Sequence, residues 1–502
     1  MNLEAIESRF PIDQFWLFLA DSMWPILPNA NNEEELYVKK QKKSGSINAF
    51  VIVFLVIVGC YIMSLFISPG AFDREVLNGR TVVIANSFHT TEKTYLGPQA
   101  IFQSIPNGLV SSGGMMFLVM LVAGCIEVYK RTGALNKGVA RILSKSEAVG
   151  SEKILVLIMI IFGSLGGFLG WNEQIVPFIP IVLSLVLALG YDLMTGIACS
   201  AMIDMISFSF SPTSVYTVGI SHEVAELPMF SGFAFRLILL CVADFIIILY
   251  VLRYARGVRN GKIQSITADL DSDKFRVDYS EEMKTPLTGG QSMALLLFLV
   301  VFVAAIAGVA KFGWSMNDLS ACFLFAAIAA GLLNKMAPND LVNAICAGAK
   351  DGLTPALVIG LARGIQWILT ESGIIDPIIY SISRPLKSLP GSIAAIAVMF
   401  VIAIFNGLLT SGSAKAMALM PILIPLADII GMTRQTMILA FQFGDGLTNS
   451  LWFTSGTLLI FLTIAGIPLK KWWKFVTPLI SILFVVCVVA LIVATKINYG
   501  PF

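Results

Sequence analysis

Two stretches of this chain, residues 154–220 and 393–467, are too apolar for a wetted surface and far too long for one helix. A helix that crosses a bilayer needs about 20 apolar residues. Both stretches are also punctuated by glycine, proline and hydroxyl residues. Unwound backbone at membrane depth is tolerated only where protein or a water-filled cavity satisfies it. Each stretch is therefore expected to hold one crossing and one excursion that returns to its own side, a re-entrant hairpin followed by a broken helix. Lipid has to be the main solvent. Of 502 residues 57% are hydrophobic and 13% charged, where a soluble domain carries about 25% charged.

Simpler spans are expected at 47–67, 113–129, 231–250, 291–310, 319–333, 353–369 and 477–494. Basic residues mark cytoplasmic flanks. They gather at Lys39, Lys40, Lys42 and Lys43, at Lys130, Arg131, Lys137 and Arg141, at Arg253, Arg256, Arg259 and Lys262, and at Lys470, Lys471 and Lys474. All four groups lie on one side if each punctuated stretch makes one net crossing. The expected topology has a cytoplasmic N-terminus and an outside C-terminus in the inner membrane. Residues 1–46 form a cytoplasmic segment, 47–254 and 291–502 the two transmembrane halves, and 255–290 a cytoplasmic loop between them.

Several function classes are excluded. The seven cysteines are scattered singly and the two histidines lie in polar connections, so a disulfide framework, a metal centre and a histidine-based enzyme are not expected. No phosphate-binding GxxxxGK[ST] loop is present, and no basic stripe suggests nucleic acid. The N-terminus lacks the basic start and cleavage site of a signal peptide. Residues 10–27, aromatic and interrupted by Asp13 and Asp21, read as an interfacial helix or as a disordered arm.

The chain also matches itself. Pro180 meets Pro421 at an offset of 421 − 180 = 241, as do Gly190 and Gly431, Asp204 and Asp445, and Thr213-Ser214 and Thr454-Ser455. Upstream, Gly108 meets Gly348 at 240, as do Gly124 and Gly364. The repeats span about 100–220 and 340–466, and the charge pattern makes them inverted. The expected fold is an all-α polytopic membrane protein of two inverted repeats with re-entrant hairpins and broken transmembrane helices. That is the plan of many secondary transporters, with a site near the midplane.

Candidate site residues follow from where helices stop. The first tip, around 166–174, offers Asn172, Glu173 and Gln174; the second, 406–415, offers Ser411, Gly412 and Ser413. Half-helices that begin there present amides to an anion. The first break offers Ser211, Thr213 and Ser214, with Pro212 removing a donor. The second offers Asn449, Ser450, Thr454 and Ser455. Their oxygens suit a cation or an ammonium group, or they simply glue helices together. Ionisable residues in a membrane usually mark function. Glu173 is the leading candidate, with capping of the hairpin as the bland reading. Asp204 and Asp445, with Ser214 and Ser450, are assigned to ion coupling, or else the acids pair with backbone amides. Arg363 suits a carboxylate or an internal ion pair, and Lys415 a substrate or an internal acid. Asp244 and Asp428 read as structural.

Four segments together carry a family resemblance. These are Gly170-Trp171-Asn172-Glu173-Gln174 leading to Pro180, Ala362-Arg363-Gly364-Ile365-Gln366, Ser411-Gly412-Ser413, and Gln442-Phe443-Gly444-Asp445-Gly446 running to Gly456. Over about 48–478 the chain resembles the C4-dicarboxylate anaerobic carrier family, in its YfcC-type branch of the ion transporter superfamily. The resemblance implies secondary transport of C4-dicarboxylates or of basic amino acids such as arginine and ornithine. Two features depart from the family pattern. The first tip holds Glu173 as its single acid with Gln174 after it, and Ser211-Pro212-Thr213 replaces Asn-Pro-Phe. The acids outnumber the obvious cations, which favours an amino acid antiporter over a dicarboxylate carrier. An ion channel and an enzyme are the remote alternatives. No cofactor is expected beyond Na⁺ or H⁺ as coupling ion. The expected partners are the small-molecule substrate, the bilayer and, by analogy of architecture, a second copy in a homodimer.

Overall fold

Helices make up most of the described residues. The computed structural model describes residues 49–500 except 78–79, 85–86, 93–95, 313, 384–388 and 390. The helix expected at 10–27 lies outside the described residues. Among these, seven helices are long and apolar enough to cross a membrane, and an eighth is added if Pro338–Asp351 and Ala356–Glu371, bent by 44°, form one span. Large apolar side chains such as Phe66, Phe102 and Val110 stand exposed on the outside, as a lipid-facing surface requires. Other apolar helices are short. Ile179–Ala188 and Gly456–Ala465 have ten residues each, about 15 Å at 1.5 Å per residue, half of a bilayer core. They occur in the two punctuated stretches, where hairpins and breaks were expected.

The pattern helix, tip, helix, interrupted helix occurs twice. First come Ser151–Ser164, a widened turn at Leu165–Leu169, a short 3-10 segment Glu173–Phe178 and Ile179–Ala188. A buried helix then runs from Leu193 to Ser207, is extended at 211–214, and resumes at Val215. The second set is Gly391–Phe405, a tip at 406–411, Gly412–Ile429, Arg434–Asn449, a turn at 450–455 and Gly456–Ala465. Upstream, Gly113–Arg131 and Leu353–Glu371 stand 353 − 113 = 240 and 371 − 131 = 240 apart at their two ends. Their packing is reciprocal: Gln99–Ser111 lies on Leu353–Glu371, and Pro338–Asp351 lies on Gly113–Arg131. Glycines permit both approaches. A side chain at Gly108 would strike the Gly360 to Gly364 backbone, and one at Gly348 would strike Ala123 and Gly124.

Three features differ from expectation. The basic residues placed in loops sit instead on the end turns of long helices, Phe233–Arg259 and Leu469–Lys496. Hydropathy sees the apolar part of a helix, whereas the helix itself continues into water beneath basic side chains that can snorkel. Second, residues 70–90 contain two short antiparallel pairs, Gly70–Ala71 with His89–Thr90 and Arg74–Leu77 with Arg80–Val83. Arg74 fastens this region through Nη2, which donates to both carboxylate oxygens of Asp376 at 2.9 and 2.7 Å. Third, the loop after 259 is a strap. The Asp192 carboxylate accepts from Tyr254 at 2.6 Å and Ser265 at 2.5 Å, while Lys274 donates to the Ile464 carbonyl at 2.8 Å. One loop thereby ties the exit of the first hairpin to the end of the second broken helix.

Candidate substrate-binding site

The two tips and the second break meet around one cavity of about 260 Å³. The first tip arrives on a helix that widens before Gly170, with Trp171 buried as an anchor and set edge-on to Phe302 at 6.1 Å. The Gln174 side-chain oxygen accepts from the Asn172 amide at 3.1 Å and closes the tip. The second tip is held by Asn406, whose amide donates to the Asp445 carbonyl and to Thr448, both at 2.9 Å. Ser411 then caps the new helix by accepting from the Ala414 amide at 3.4 Å. Gly412 is required by crowding, since a Cβ there would lie 2.9 Å from both the Asp445 Oδ2 and Thr217 of the first broken helix. Each tip thus touches the broken helix of the other half. In the opposite sense, the Thr457 hydroxyl donates to Glu173 Oε1 at 2.7 Å.

The lining includes Asn172, Glu173 and Gln174 from the first tip, and Ser411, Gly412 and Ser413 from the second. Asn449, Thr454 and Ser455 line it from the second break, and Arg363 from the Leu353–Glu371 helix. Sequence reasoning missed Thr457, Gln366 and the apolar floor of Met115, Met205, Phe208 and Ile359. Thr457 follows the break by two residues and was readable as part of it. The methionines lie within ordinary helical runs and give no such signal.

Two ionisable groups face the cavity, and they are opposite in sign. Glu173 is half-buried and bonded to Thr457. Arg363 is half-buried and donates to the Gln366 side-chain oxygen at 3.0 Å, with no carboxylate partner among the described residues. The remaining candidates lie elsewhere. Lys415 is fully buried against Asp445 and Asn406 Oδ1, so its charge is used internally. Asp204 is fully buried and neither carboxylate oxygen has a hydrogen-bond partner among the described residues, which excludes the expected pairing with backbone amides.

Four candidates from the breaks are outside the cavity lining. Ser211 accepts from the Ser214 amide at 2.8 Å, Thr213 donates to the Phe168 carbonyl at 2.7 Å, and Ser450 donates to the Leu447 carbonyl at 2.8 Å. Their hydroxyls satisfy backbone that the breaks and the tip set free. Ser214 is buried, and its hydroxyl has no partner among the described residues. The first break therefore reaches the cavity through its neighbours Phe208 and Tyr216 rather than through its serine and threonine hydroxyls.

Fold and cavity together define a polytopic membrane protein with a polar, two-signed chamber enclosed by two helix tips. The chain matches the C4-dicarboxylate anaerobic carrier family over residues 48–496 and belongs to that family of transporters. It is 28% identical over 398 residues to the putative basic amino acid antiporter YfcC of Escherichia coli, covering 77% of this chain and 78% of the relative. An uncharacterized protein of Haemophilus influenzae is also 28% identical, over 441 residues, 87% of this chain and 86% of that one. Two solved transporters align at a TM-score of 0.44. YdaH of Alcanivorax borkumensis does so at 15% identity over 91% of this chain and all of its own. MtrF of Neisseria gonorrhoeae does so at 16% identity over 91% and 98%.

Proposed function

We propose that the protein is a secondary active transporter or exchanger of a small zwitterion, best fitted by an amino acid with a basic side chain, working by alternating access. The observation that carries this reading is that Glu173 and Arg363 line the same cavity without being paired to each other. A carboxylate offers an ammonium group a charge-assisted bond, and a guanidinium offers a planar fork to a carboxylate. Thr410, Ser411, Ser413 and Ser455 supply neutral oxygens around them. The family's description favours a C4-dicarboxylate as second reading, and Arg363 alone would suit it. Glu173 speaks against it, because its charge repels a dianion.

Alternating access follows from reading the halves as inverted repeats, which exchange conformations about one site. The equal spacing of Gly113–Arg131 and Leu353–Glu371 and the reciprocal packing of their neighbours support that reading. The basic helix ends support an inner-membrane protein with the N-terminus inside and the C-terminus outside.

A thermal-shift panel tests the substrate class. Binding to the folded state stabilises it by mass action, about 2.7 kcal/mol at a hundredfold excess over Kd. Arginine or ornithine should raise the melting temperature of the wild type and leave Glu173→Gln unmoved. A rise with succinate or fumarate and none with amino acids would transfer the assignment to the second reading.

A further inference from the structure

Asp204 and Asp445 occupy matching positions, yet their charges are compensated differently. At the same offset Lys415 corresponds to Gln174, since 415 − 174 = 241. In the second half the Lys415 ammonium lies against Asp445 and Asn406, all of them buried. In the first half Asp204 is equally buried, and Gln174 turns away to close its own tip. Asp204 consequently faces no tethered cation.

Among the described residues the elements around Asp204 supply none either, and Lys153, Arg253 and Arg259 on them are exposed. Its helix, Ile203–Ser207, packs on Ser151–Ser164 and the widened turn after it, on Phe233–Arg259, and on Arg434–Asn449. Glu152 on the first of these is paired with Arg256 at 2.6 Å. On the second, Asp244 accepts from Ser207 at 2.5 Å and Arg236 is bonded to Gln442 and Gln435. On the third, Asp445 is held by Lys415, and Arg434 pairs with Asp428 at 2.9 Å. Met205, next to Asp204, and Phe208, one turn on, line the cavity together with Glu173, another acid.

A buried carboxylate with no partner is costly unless something neutralises it. A proton does so without further ligands, whereas a hard metal cation needs a shell of oxygens. We propose that Asp204 is the seat of the coupling proton, exchanged with the cavity through Glu173, while Lys415 performs the same neutralisation permanently for Asp445. In the transfer the Glu173 carboxyl gives its proton to the Asp204 carboxylate. Glu173 is left as the anion that holds the substrate ammonium, and the return step reverses this. Coupling then belongs to the first half alone.

This inference rests on the transport reading, and the test separates the two. Wild type and Asp204→Asn are reconstituted in vesicles containing a pH-sensitive dye, and labelled arginine is supplied outside. Wild type should move protons with net arginine flux and change its accumulation at least tenfold with a pH gradient. Asp204→Asn should still exchange arginine for internal ornithine while losing proton movement and gradient response. Proton movement at the wild-type level in Asp204→Asn, or none in wild type that carries arginine, overturns the proposal. A second readout needs no substrate. Infrared spectra at neutral pH should show a protonated-carboxyl band that Asp204→Asn removes, and a spectrum unchanged by the substitution also overturns it. If neither protein carries arginine yet the band is lost, the substrate reading fails and the protonated Asp204 stands.

Discussion

The two tips enclose the same cavity with different chemistry. The second begins a regular helix at once, capped by Ser411, and its buried lysine cancels a buried aspartate of the same half. The first enters a short 3-10 segment before its helix, keeps its acid Glu173 in the cavity, and leaves Asp204 uncompensated. The difference teaches that backbone symmetry and charge symmetry are separable. Two similar arms build the chamber, while the buried acid of one lies against a lysine and that of the other has no hydrogen-bond partner among the described residues.

The largest expected effect comes from opening the closed arm. Lys415→Met leaves Asp445 without its buried partner, which costs about 3–5 kcal/mol. The double variant Lys415→Met, Asp445→Asn should recover most of that loss in thermal unfolding. Equal instability of the single and double variants would show that the pair does not compensate itself.

Next is Gly412→Val, which forces the tip away from Asp445 and Thr217. We expect a loss of about 1–3 kcal/mol, as for other overpacked sites, and substrate exchange below a tenth of wild type. A fully active variant would mean that the tip does not need its close approach. Thr457→Val removes one hydrogen bond from Glu173, about 1 kcal/mol. It should raise the half-saturating substrate concentration about fivefold without changing the melting temperature, and an unaltered value would detach the second break from substrate binding.

The smallest effect belongs to the strap, which the comparison treats as a passive tie. Lys471 holds the Asp269 carboxyl below the usual carboxylate range through a hydrogen bond. That contribution is present at neutral pH and disappears as pH falls through the lowered value. The pair is exposed at Asp269, so Asp269→Asn should change stability by less than about 0.5 kcal/mol, and less still in high salt.

How much of this was legible in the sequence depends on what each residue needed. The tips and breaks were visible because glycine, proline and polar residues have few reasons to interrupt an apolar run. The repeated helix, tip, helix and break pattern had a trace in the sequence, because Pro180, Asp204 and Thr213-Ser214 have counterparts at an offset of 241. What stayed hidden was direction. Ser211, Thr213 and Ser450 carry hydroxyls like those lining the cavity, but theirs turn to nearby backbone, and spacing alone does not reveal that. Lys415 was ambiguous for the same reason. Its partner Asp445 lies thirty residues on and faces it only after Asn406 and Gly412 bring the tip against the Arg434–Asn449 helix. The strap was read as a plain polar loop, because its contacts to Asp192 and Ile464 join segments remote in sequence.

On the proposed reading, one cavity shared by both halves binds a substrate ammonium group at Glu173. Counterflow tests it most directly: vesicles holding ornithine take up labelled arginine through wild type or Glu173→Gln. Wild type should show saturable, ornithine-dependent uptake, and Glu173→Gln should fall to the rate of empty vesicles while keeping its melting temperature. Uptake by Glu173→Gln at the wild-type rate would contradict the account.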